Sequence, residues 1–436
     1  MHSIVYAISE EAVLKKVIDT KREVAILDIG TSKICCAIGR GVPSGKGNLE
    51  ASENERALRV LGAGYHFARG IKRNSITNLE ELEEAILNAV SSAEKDAQKS
   101  IKSVFVSLPS WAIESTSVET QMALGQLPVD DVCINSLLNF DTSRYINTET
   151  REIIHIFPIS YSIDDAVDIQ DPIGMVGENI TASVHILTAS SALIKNIRNC
   201  IRRNNIEVEG FISSTYASGL SVLLNEELLS GVTLVDFGGS VTTVAFFHSG
   251  NLLYIEPIPI GAQNITNDIS IILRTLHSHA ERLKILYGVS SGNDSSLDDM
   301  EQCLIPRIDE YGEEHMQNVS KAMLDSIIRA RLEEIIELVQ EKVNTIQIMA
   351  QRIVITGGGS KIAGLNEFIK MSKYFKNSFV RLGKPIRTIG SHDFVQTPSF
   401  ASTAGSMLYC LSSHNFQFSN NKSLMQKITT WFKRGV

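Results

Sequence analysis

Two glycine turns of the same type, far apart in the chain, are the segments best suited to phosphate chemistry. One is Asp28-Ile-Gly-Thr-Ser-Lys33 and the other is Asp236-Phe-Gly-Gly-Ser240, and each ends an apolar run. Glycine permits a tight turn whose backbone N–H groups converge on one anion. An aspartate cannot hold phosphate directly, but it can hold the water shell of a Mg²⁺ ion that does. The two turns therefore predict a site for a phosphate–Mg²⁺ group.

A third turn, Thr356-Gly-Gly-Gly-Ser-Lys361, again follows an apolar run. One Asp-x-Gly turn alone is a weak signal, because many hairpins carry it without a ligand. Three turns in this order favour an ATP cleft between two similar lobes, with the third turn placed at the nucleoside. The alternative is three unrelated turns of an ordinary α/β enzyme.

The expected nucleotide contacts come from these turns and from one helix face. Glu281 and Lys284, three residues apart on that face, would reach ribose and adenine. The alternative for this pair is a solvent salt bridge, and Lys33 has a solvent-facing alternative as well. Asp28 and Asp236 are the candidate Mg²⁺ residues, acting through water. The candidate cofactor-binding residues are Asp28, Gly30, Thr31, Ser32, Lys33, Asp236, Gly238, Gly239, Ser240, Glu281, Lys284, Gly357, Gly358, Gly359 and Lys361. No catalytic residue is identified.

Composition excludes several classes of function. The 436 residues carry a net charge of −8, with no basic stripe in the body of the chain, which argues against general nucleic-acid binding. The six cysteines form no C-x-x-C pair, so they favour buried thiols in a reducing compartment over a zinc site. The chain shows no apolar stretch of about 20 residues and no signal-peptide pattern, so we expect a cytoplasmic protein.

Hydrophobic periodicity predicts two α/β lobes and a small α+β insertion. Residues 78–100 have helical spacing with Asn78 as N-cap, and 211–224 are expected to form a helix just after the second lobe begins near Val208. The expected segments are 1–23, an N-terminal extension; 24–100 and 179–207, the first-lobe core; 101–178, the inserted subdomain; 208–262 and 331–390, the second-lobe core; 263–330, a second-lobe subdomain; 391–411, a return helix of the first lobe; 412–421, a linker; and 422–436, an amphipathic helix.

The C-terminal segment is typical of a helix that lies in a membrane interface. A polar linker precedes it, and apolar residues then recur on one helical stripe beside basic residues, with no Asp or Glu after Asp393. Basic side chains are attracted to anionic head groups at roughly 1 kcal/mol each while the apolar stripe inserts. The alternative is a helix packed on the body. The candidate membrane residues are Leu424, Met425, Lys427, Ile428, Trp431, Phe432, Lys433 and Arg434.

The three turns resemble those of the actin and sugar-kinase superfamily, and further stretches resemble the FtsA family of actin-like bacterial cell-division proteins. The similarity covers about residues 22–436. The stretches that carry it are Asp28–Lys33, Ile258–Ile269 with its I-P-x-G-x-x-x-I-T-x-D-I pattern, Ala280–Gly288 with A-E-x-L-K-x-x-Y-G, Thr356–Leu365, Asp171–Met175 and Val184–Thr188.

The resemblance implies an actin-like ATPase fold with bound ATP and Mg²⁺. It also implies a protein that polymerises on the inner face of the cytoplasmic membrane at the division site and tethers the tubulin-like ring protein FtsZ. By resemblance, the FtsZ C-terminal peptide binds residues 265–330, where Arg274, Arg282, Lys284 and Arg307 are candidate contacts. The inserted subdomain would contact neighbouring copies or later division proteins.

The second turn departs from the family pattern D-[IV]-G-G-G-T-T-[DN]. Ser240 replaces a glycine, Val241 a threonine, and Thr243 the final acidic or amide residue. These changes weaken the case for efficient hydrolysis more than the case for binding, so we expect at most a weak ATPase. Two alternatives stay open. A sugar or acetate kinase of the same fold would need a catalytic carboxylate and no membrane helix, whereas a pilus-assembly relative would lack the basic tail.

Overall fold

The computed structural model describes residues 22–43, 56–72, 75–290, 302–308, 314–345, 352–376, 378–386, 388–390 and 392–412. Nearly all of the N-terminal extension and the whole predicted amphipathic helix at 422–436 lie outside the described residues. The described part is mixed α/β.

The secondary structure elements are numbered here along the chain. The strands are β1 Glu23–Ile29, β2 Lys33–Pro43, β3 Arg56–Phe67, β4 Ile71–Lys72, β5 Ser75–Ile76, β6 Ser103–Leu108, β7 Ile113–Ala123, β8 Arg151–Ile163, β9 Ala166–Ile169, β10 Asn179–Ser190, β11 Glu207–Ser213, β12 Val232–Phe237, β13 Thr242–His248, β14 Asn251–Ile258, β15 Gln302–Ile308, β16 Glu314–Ser320, β17 Arg352–Thr356, β18 Phe379–Leu382 and β19 Thr388–Ile389. The α-helices are α1 Leu79–Ala97, α2 Asp131–Leu138, α3 Ser191–Arg202, α4 Ser214–Val222, α5 Asn225–Ser230, α6 Ala262–Leu273, α7 His277–Tyr287, α8 Lys321–Thr345, α9 Leu365–Met371 and α10 Ala401–Leu411.

Two sheets with the same internal order form the two lobes. The first has the order β11-β6-β1-β2-β3-β19 and the second has β14-β13-β12-β17-β18. In each, an antiparallel meander is extended by two strands parallel to its first strand, namely β6 and β11 in one lobe and β17 and β18 in the other. The two predicted phosphate turns, at residues 28–33 and 236–240, each join the first two strands of one meander. The repeated pattern of strand, turn and hairpin is thus confirmed as two similar lobes.

Helices α4 and α10 pack against each other with backbone contact at one point. A Cβ built on Gly405 would lie 1.6 Å from the carbonyl oxygen of Ala217, so only glycine fits there. Beside it, the Ser221 hydroxyl donates to the carbonyl of Ala401 over 2.7 Å. One buried cluster contains Leu27 of the first sheet together with Leu234 of the second, so the hydrophobic core is continuous between the lobes.

The inserted subdomain is a four-stranded sheet in the order β7-β10-β8-β9, with α2 packed on it. Two sequence predictions about its strands are wrong. Ser103–Leu108 was expected in the insertion but forms β6 in the first-lobe sheet, and 181–189 was expected in the lobe core but belongs to β10 of the insertion. Both segments are short apolar runs, and periodicity alone does not tell which sheet such a run joins.

Other differences concern the second half of the chain. Residues 207–213 form β11 of the first-lobe sheet, so the helix expected at 211–224 begins only at Ser214 and the second lobe does not begin at Val208. The expected second-lobe subdomain contains the helices α6 and α7, separated at Arg274, whose φ of 49° is left-handed. It also contains β15. Helix α1 with Asn78 as its N-cap was correctly predicted.

Two buried histidines fix the insertion to the two lobes. His155 of β8 accepts a hydrogen bond at Nε2 from the backbone N–H of Ser213 over 3.0 Å, so its proton is on Nδ1. Burial lowers the pKa of His155 to about 3, and its ring packs on Tyr216 and Tyr409. His185 of β10 donates from Nδ1 to the carbonyl of Leu252 in the second lobe over 2.9 Å. The His155 contact requires the neutral imidazole, because a protonated Nε2 cannot accept, whereas at His185 it is burial that lowers the pKa and the bond to Leu252 that opposes this shift.

We predict that acid weakens the fold through His155. The folded-state pKa of about 3 lies below the ordinary value of 6.5, so the unfolded chain binds more protons between these pH values. The stabilisation is fully present above pH 6.5 and is lost as the pH falls toward 3. Between pH 7.5 and 5.5 the loss from this group is on the order of 1 kcal/mol. Urea unfolding at the two pH values should show a smaller difference for His155→Gln than for the native chain, whereas His248→Gln, at an exposed position, should keep the native difference. An unchanged difference in His155→Gln would exclude this role.

Candidate functional site

The two phosphate turns have the same local geometry. The N–H of Gly30 donates to the carbonyl of Lys33 over 3.0 Å, and the N–H of Gly238 donates to the carbonyl of Val241 over 2.9 Å. A Cβ on Gly30 would lie 2.7 Å from the carbonyl oxygen of Lys33, and a Cβ on Gly238 would lie 2.6 Å from that of Val241. A side chain is therefore excluded at both positions. The repeated Asp-x-Gly pattern therefore encodes one turn geometry twice.

The two turns meet across the boundary between the lobes. The backbone N–H of Ser240 donates to the hydroxyl of Thr31 over 3.1 Å. A Cβ on Gly239 would lie 2.1 Å from the hydroxyl oxygen of Ser32, so the backbone of the second turn lies directly against the side chains of the first. The hydroxyls and N–H groups expected to bind one phosphate chain are thus adjacent.

Helix α6 holds the second turn from behind. The N–H groups of Ala262 and Gln263 donate to the carbonyls of Gly238 and Gly239 over 3.0 and 2.8 Å. The Ser240 hydroxyl donates to Oε1 of Gln263 over 2.6 Å, and the φ of Ser240 is not in the left-handed region. Serine is therefore accommodated where the family pattern has glycine. Sequence reasoning missed Gln263 as a support of this turn, although the I-P-x-G run that precedes it was a usable signal.

Asp28 and Asp236 lie behind the two turns, each at the end of a meander's first strand. Burial raises the pKa of Asp28, while the Lys33 ammonium and the Thr403 hydroxyl, 3.1 Å away, act against that rise. Burial raises the pKa of Asp236 to about 6, a hydrogen bond from Ser218 opposes the rise, and the negative charge of Asp28 adds to it. The two carboxylates are close enough to repel each other, and a cation between them would relieve that repulsion.

Among the described residues, no group of three or more His, Cys, Asp or Glu side chains is placed to hold a metal ion. Two half-buried carboxylates behind turns that are candidates for phosphate binding nevertheless suit a hydrated Mg²⁺, which takes most of its ligands from water and phosphate. The donor set suits this ion through water, and Asp28 and Asp236 stay predicted Mg²⁺ residues.

The three glycines of the third turn differ in what surrounds them. Gly357 has φ of +87°, and a Cβ there would lie 2.5 Å from Oδ1 of Asp236. A Cβ on Gly359 would meet the ring of Phe237 at 2.7 Å, whereas a Cβ on Gly358 meets only the side chain of Ser399, at 4.0 Å. Gly357 and Gly359 are thus required by the protein's own packing, and Gly358 borders open space.

Glu281 and Lys284 form a salt bridge, but not one in solvent. Lys284 is buried, and its ammonium donates to Glu281 over 2.7 Å, to the hydroxyl of Thr266 over 2.9 Å and to the carbonyl of Ala262 over 3.2 Å. Burial lowers the pKa of Lys284 and Glu281 acts against that shift. Its three donors are all used within the protein, so Glu281, with its side chain 40% exposed, is the better placed of the two for a ligand.

The two other lysines of the candidate set lie differently. Lys33 donates to the carbonyl of Ser399 over 2.8 Å, which joins the first turn to the segment beside Gly358. Lys361 is exposed at the end of the third turn. The structure thus brings the three turns together, with Lys361 at their margin.

Comparison with known proteins agrees with this arrangement. The family model for cell division protein FtsA matches residues 233–405, and the model for the SHS2 domain inserted in FtsA matches residues 112–188. Cell division protein FtsA of Rhizobium meliloti is 31% identical over 389 residues, which cover 88% of this chain and 86% of that protein. The chain belongs to the FtsA family. The Escherichia coli K12 member is 26% identical over 434 residues, covering 95% of this chain and 97% of that one.

Solved structures show the fold of the family at lower identity. The chain is 14% identical to a protein of the PilM-PilN type IV pilus biogenesis complex, with a TM-score of 0.60 over 88% of this chain and 97% of that one. MreB5 of Spiroplasma citri bound to ADP gives a TM-score of 0.50 at 13% identity, over 94% of this chain and 99% of that one. These likenesses show an actin-like fold. The family assignment also separates the chain from the pilus-assembly alternative, which shares only the fold.

We predict that Gly357→Ala destabilises this FtsA-family chain far more than Gly358→Ala. The first places a Cβ against Asp236 at a positive φ, a combination that costs on the order of 2 kcal/mol or more. The second meets open space. Thermal unfolding of both variants without nucleotide measures the difference, and equal melting temperatures would contradict it.

Proposed function

We propose that this chain binds Mg·ATP between its two lobes and acts as a membrane-attached adaptor in cell division. The single observation that carries the nucleotide part is the direct contact between the two phosphate turns, from Thr31 to Ser240, with both carboxylates behind them. Turns of the same geometry approach the same space from opposite lobes. A phosphate chain between them would receive N–H and hydroxyl donors from both sides.

The residues of the site have distinct roles in this proposal. Thr31 and Ser32 donate to the outer phosphates from the first lobe and the N–H of Gly239 donates from the second, while Gly30, Gly238 and Ser240 shape the two turns, because their own donors are used within the protein. Asp28 and Asp236 order the water shell of Mg²⁺, which supplies charge neutralisation at the phosphates. Gly358 faces the adenosine, because its Cα has open space on the side where a side chain would project. Glu281 contacts the ribose.

Hydrolysis is proposed to be slow. Thr243, at the position where the family pattern has an acidic or amide residue, is buried and donates to the hydroxyl of Ser110 over 2.6 Å. Because Thr243 is buried and lacks a carboxylate or amide, it does not replace the metal-shell oxygen of the family pattern. Val241 supplies no hydroxyl. The residues around the turns include no side chain that we can assign as a general base for water, so the nucleotide serves to fix the lobes rather than to drive chemistry.

The membrane part of the proposal rests on the sequence of residues 422–436. None of the helices described combines the length and apolarity needed to cross a bilayer. A basic amphipathic segment attaches from one side of a membrane, and a single one binds only marginally. Several copies held side by side in a polymer would bind firmly. By family resemblance, the membrane proposed is the cytoplasmic membrane, with the protein on its inner face.

The proposed acceptor for the FtsZ C-terminal peptide is the second-lobe subdomain. Arg282 is exposed on α7 beside Ile285 and Leu286, which are each 61% exposed. Arg274 ends α6 at an exposed position nearby in sequence. Basic and apolar groups together suit an acidic-apolar peptide, whereas Lys284 is committed to Glu281. By family resemblance, later division proteins and neighbouring copies contact the inserted subdomain.

The first functional prediction concerns nucleotide. The chain should bind Mg·ATP, measured by calorimetry, with phosphate release slow or undetectable beside a sugar kinase. Gly358→Phe should abolish binding because the ring fills the open space, yet it should unfold at nearly the native temperature. Lys370→Ala, at an exposed position of α9 just after this turn, is the control for a general disturbance of this segment. Absence of affinity in the native chain with Mg²⁺ present would refute the proposal.

The second prediction concerns tethering. FtsZ should sediment with anionic vesicles only when this chain is present. Removal of 422–436 should abolish both the chain's own sedimentation and that of FtsZ, and Trp431→Glu should do nearly the same because it places a charge in the apolar stripe. Salt should weaken attachment by screening the basic residues. If the truncated chain still carries FtsZ to vesicles, the tail is not the tether, and if neither chain does, the adaptor role fails.

A further inference from the structure

The inserted subdomain carries a charge unlike the rest of the chain. Residues 112–190 contain twelve Asp or Glu against two Arg and no Lys, a net charge of −10. Because the whole chain carries −8, the remaining residues together carry +2. The charge of the protein is therefore concentrated on this one subdomain.

Exposed apolar side chains lie at one end of the same subdomain. Leu127, Val132, Val167 and Val176 are each more than half exposed. The segment that carries Leu127 and Val132 is held against the segment that carries Val176. A β-bridge joins Pro128 to Val176, and the N–H of Val129 donates to the carbonyl of Met175. The N–H of Glu178 donates to Asp164 at the turn that precedes Val167. We call this end, residues 124–132 with 164–179, the distal patch.

Acidic residues surround the distal patch, and no basic residue falls within its segments. The acidic residues of these segments are Asp130, Asp131, Asp164, Asp165, Asp168, Asp171 and Glu178. An apolar surface with an acidic border suits an occupant that is apolar on one side and basic on the other. Nothing of the described chain covers these four side chains.

The C-terminal segment of the chain has that chemistry and leaves the body beside the insertion. Tyr409, near the end of α10, has its ring centroid 5.3 Å from that of His155 in β8, which pairs in register with Leu187 of β10. From Leu187 to Asn179, at the distal end of β10, eight residues at about 3.3 Å each span roughly 26 Å. The nine residues 413–421, extended at about 3.3 Å each, reach roughly 30 Å. The segment that follows, 422–436, can therefore reach the distal patch of its own subunit.

We propose that residues 422–436 dock on the distal patch of the same chain when no anionic lipid surface is available. The apolar stripe of Leu424, Ile428 and Trp431 covers the exposed side chains, and Lys422, Lys427, Lys433 and Arg434 face the acidic border. The same residues are those proposed to bind lipid, so docking and membrane attachment exclude each other. This inference goes beyond the proposed membrane attachment, because it can hold even if the segment does not bind lipid.

Zero-length carbodiimide cross-linking of the full chain, without lipid and followed by mass spectrometry of the monomer fraction, tests the docking. Lys422, Lys427 and Lys433 should couple to Asp130, Asp131 and Asp171 more than to carboxylates elsewhere. The triple variant Asp165→Asn, Asp168→Asn, Glu178→Gln keeps those three acceptors but removes border charge, and it should lower the coupling several-fold. The matched variant Glu84→Gln, Glu226→Gln, Glu337→Gln removes the same charge from exposed helix positions outside the insertion and should keep the native level.

Further measurements separate the possible occupants. Vesicles containing phosphatidylglycerol should lower the native cross-links, and the insertion triple variant should sediment with those vesicles at lower lipid concentration than the matched variant. Cross-links found only in a covalent dimer would assign the distal patch to the tail of a second copy and overturn docking within one chain. Equal coupling in the two triple variants would overturn it as well. Native cross-links without any vesicle binding would refute the membrane proposal but support this one.

Discussion

The backbone contact between α4 and α10 sets the geometry on which the rest of the site depends. Gly405 lets the two helices approach until the carbonyl of Ala217 lies where a Cβ would be. Helix α4 leads from the first-lobe sheet to the second-lobe sheet, and α10 returns under the first-lobe sheet. Since both pass through one continuous core, the two sheets have little freedom to separate at this point, and their turns are held face to face.

The turns themselves are built from glycine because carbonyl oxygens occupy the space that side chains would need. Gly30 and Gly238 face the carbonyls of Lys33 and Val241, and Gly239 faces Ser32 of the other lobe. The resulting surface presents N–H and hydroxyl groups and leaves two half-buried carboxylates behind it. Such an arrangement is costly without a partner, because like charges in a buried place repel, and a phosphate–Mg²⁺ group satisfies both the donors and the carboxylates.

The inserted subdomain is fixed to both lobes by neutral histidines, while its distal end is acidic and partly apolar. His155 contacts the backbone that enters α4, and His185 contacts β14 of the second lobe. Ser110, just before the insertion, accepts from Thr243 next to the second turn. The base of the insertion therefore touches the parts of the molecule that a change in the cleft would move, and its far end is free for an occupant.

The sequence alone determined the family and the fold class of this protein. The Asp-x-Gly turns, the third glycine turn, the capped helix at 79–97 and the amphipathic pattern at 422–436 are local signals, because each depends on residues close together in the chain. They were sufficient to predict an actin-like fold with two lobes and the residues to examine for nucleotide binding.

Tertiary structure decided which sheet each strand joined and which donors were already committed. Ser103–Leu108 and 207–213 are short strands whose placement in the first-lobe sheet depends on neighbours far away in sequence. The three bonds of Lys284, the support of Ser240 by Gln263 and the open space at Gly358 likewise depend on contacts between distant segments. The local sequence pattern specifies which donors and acceptors a residue carries. Only the packing of distant segments specifies which of them remain free for a ligand.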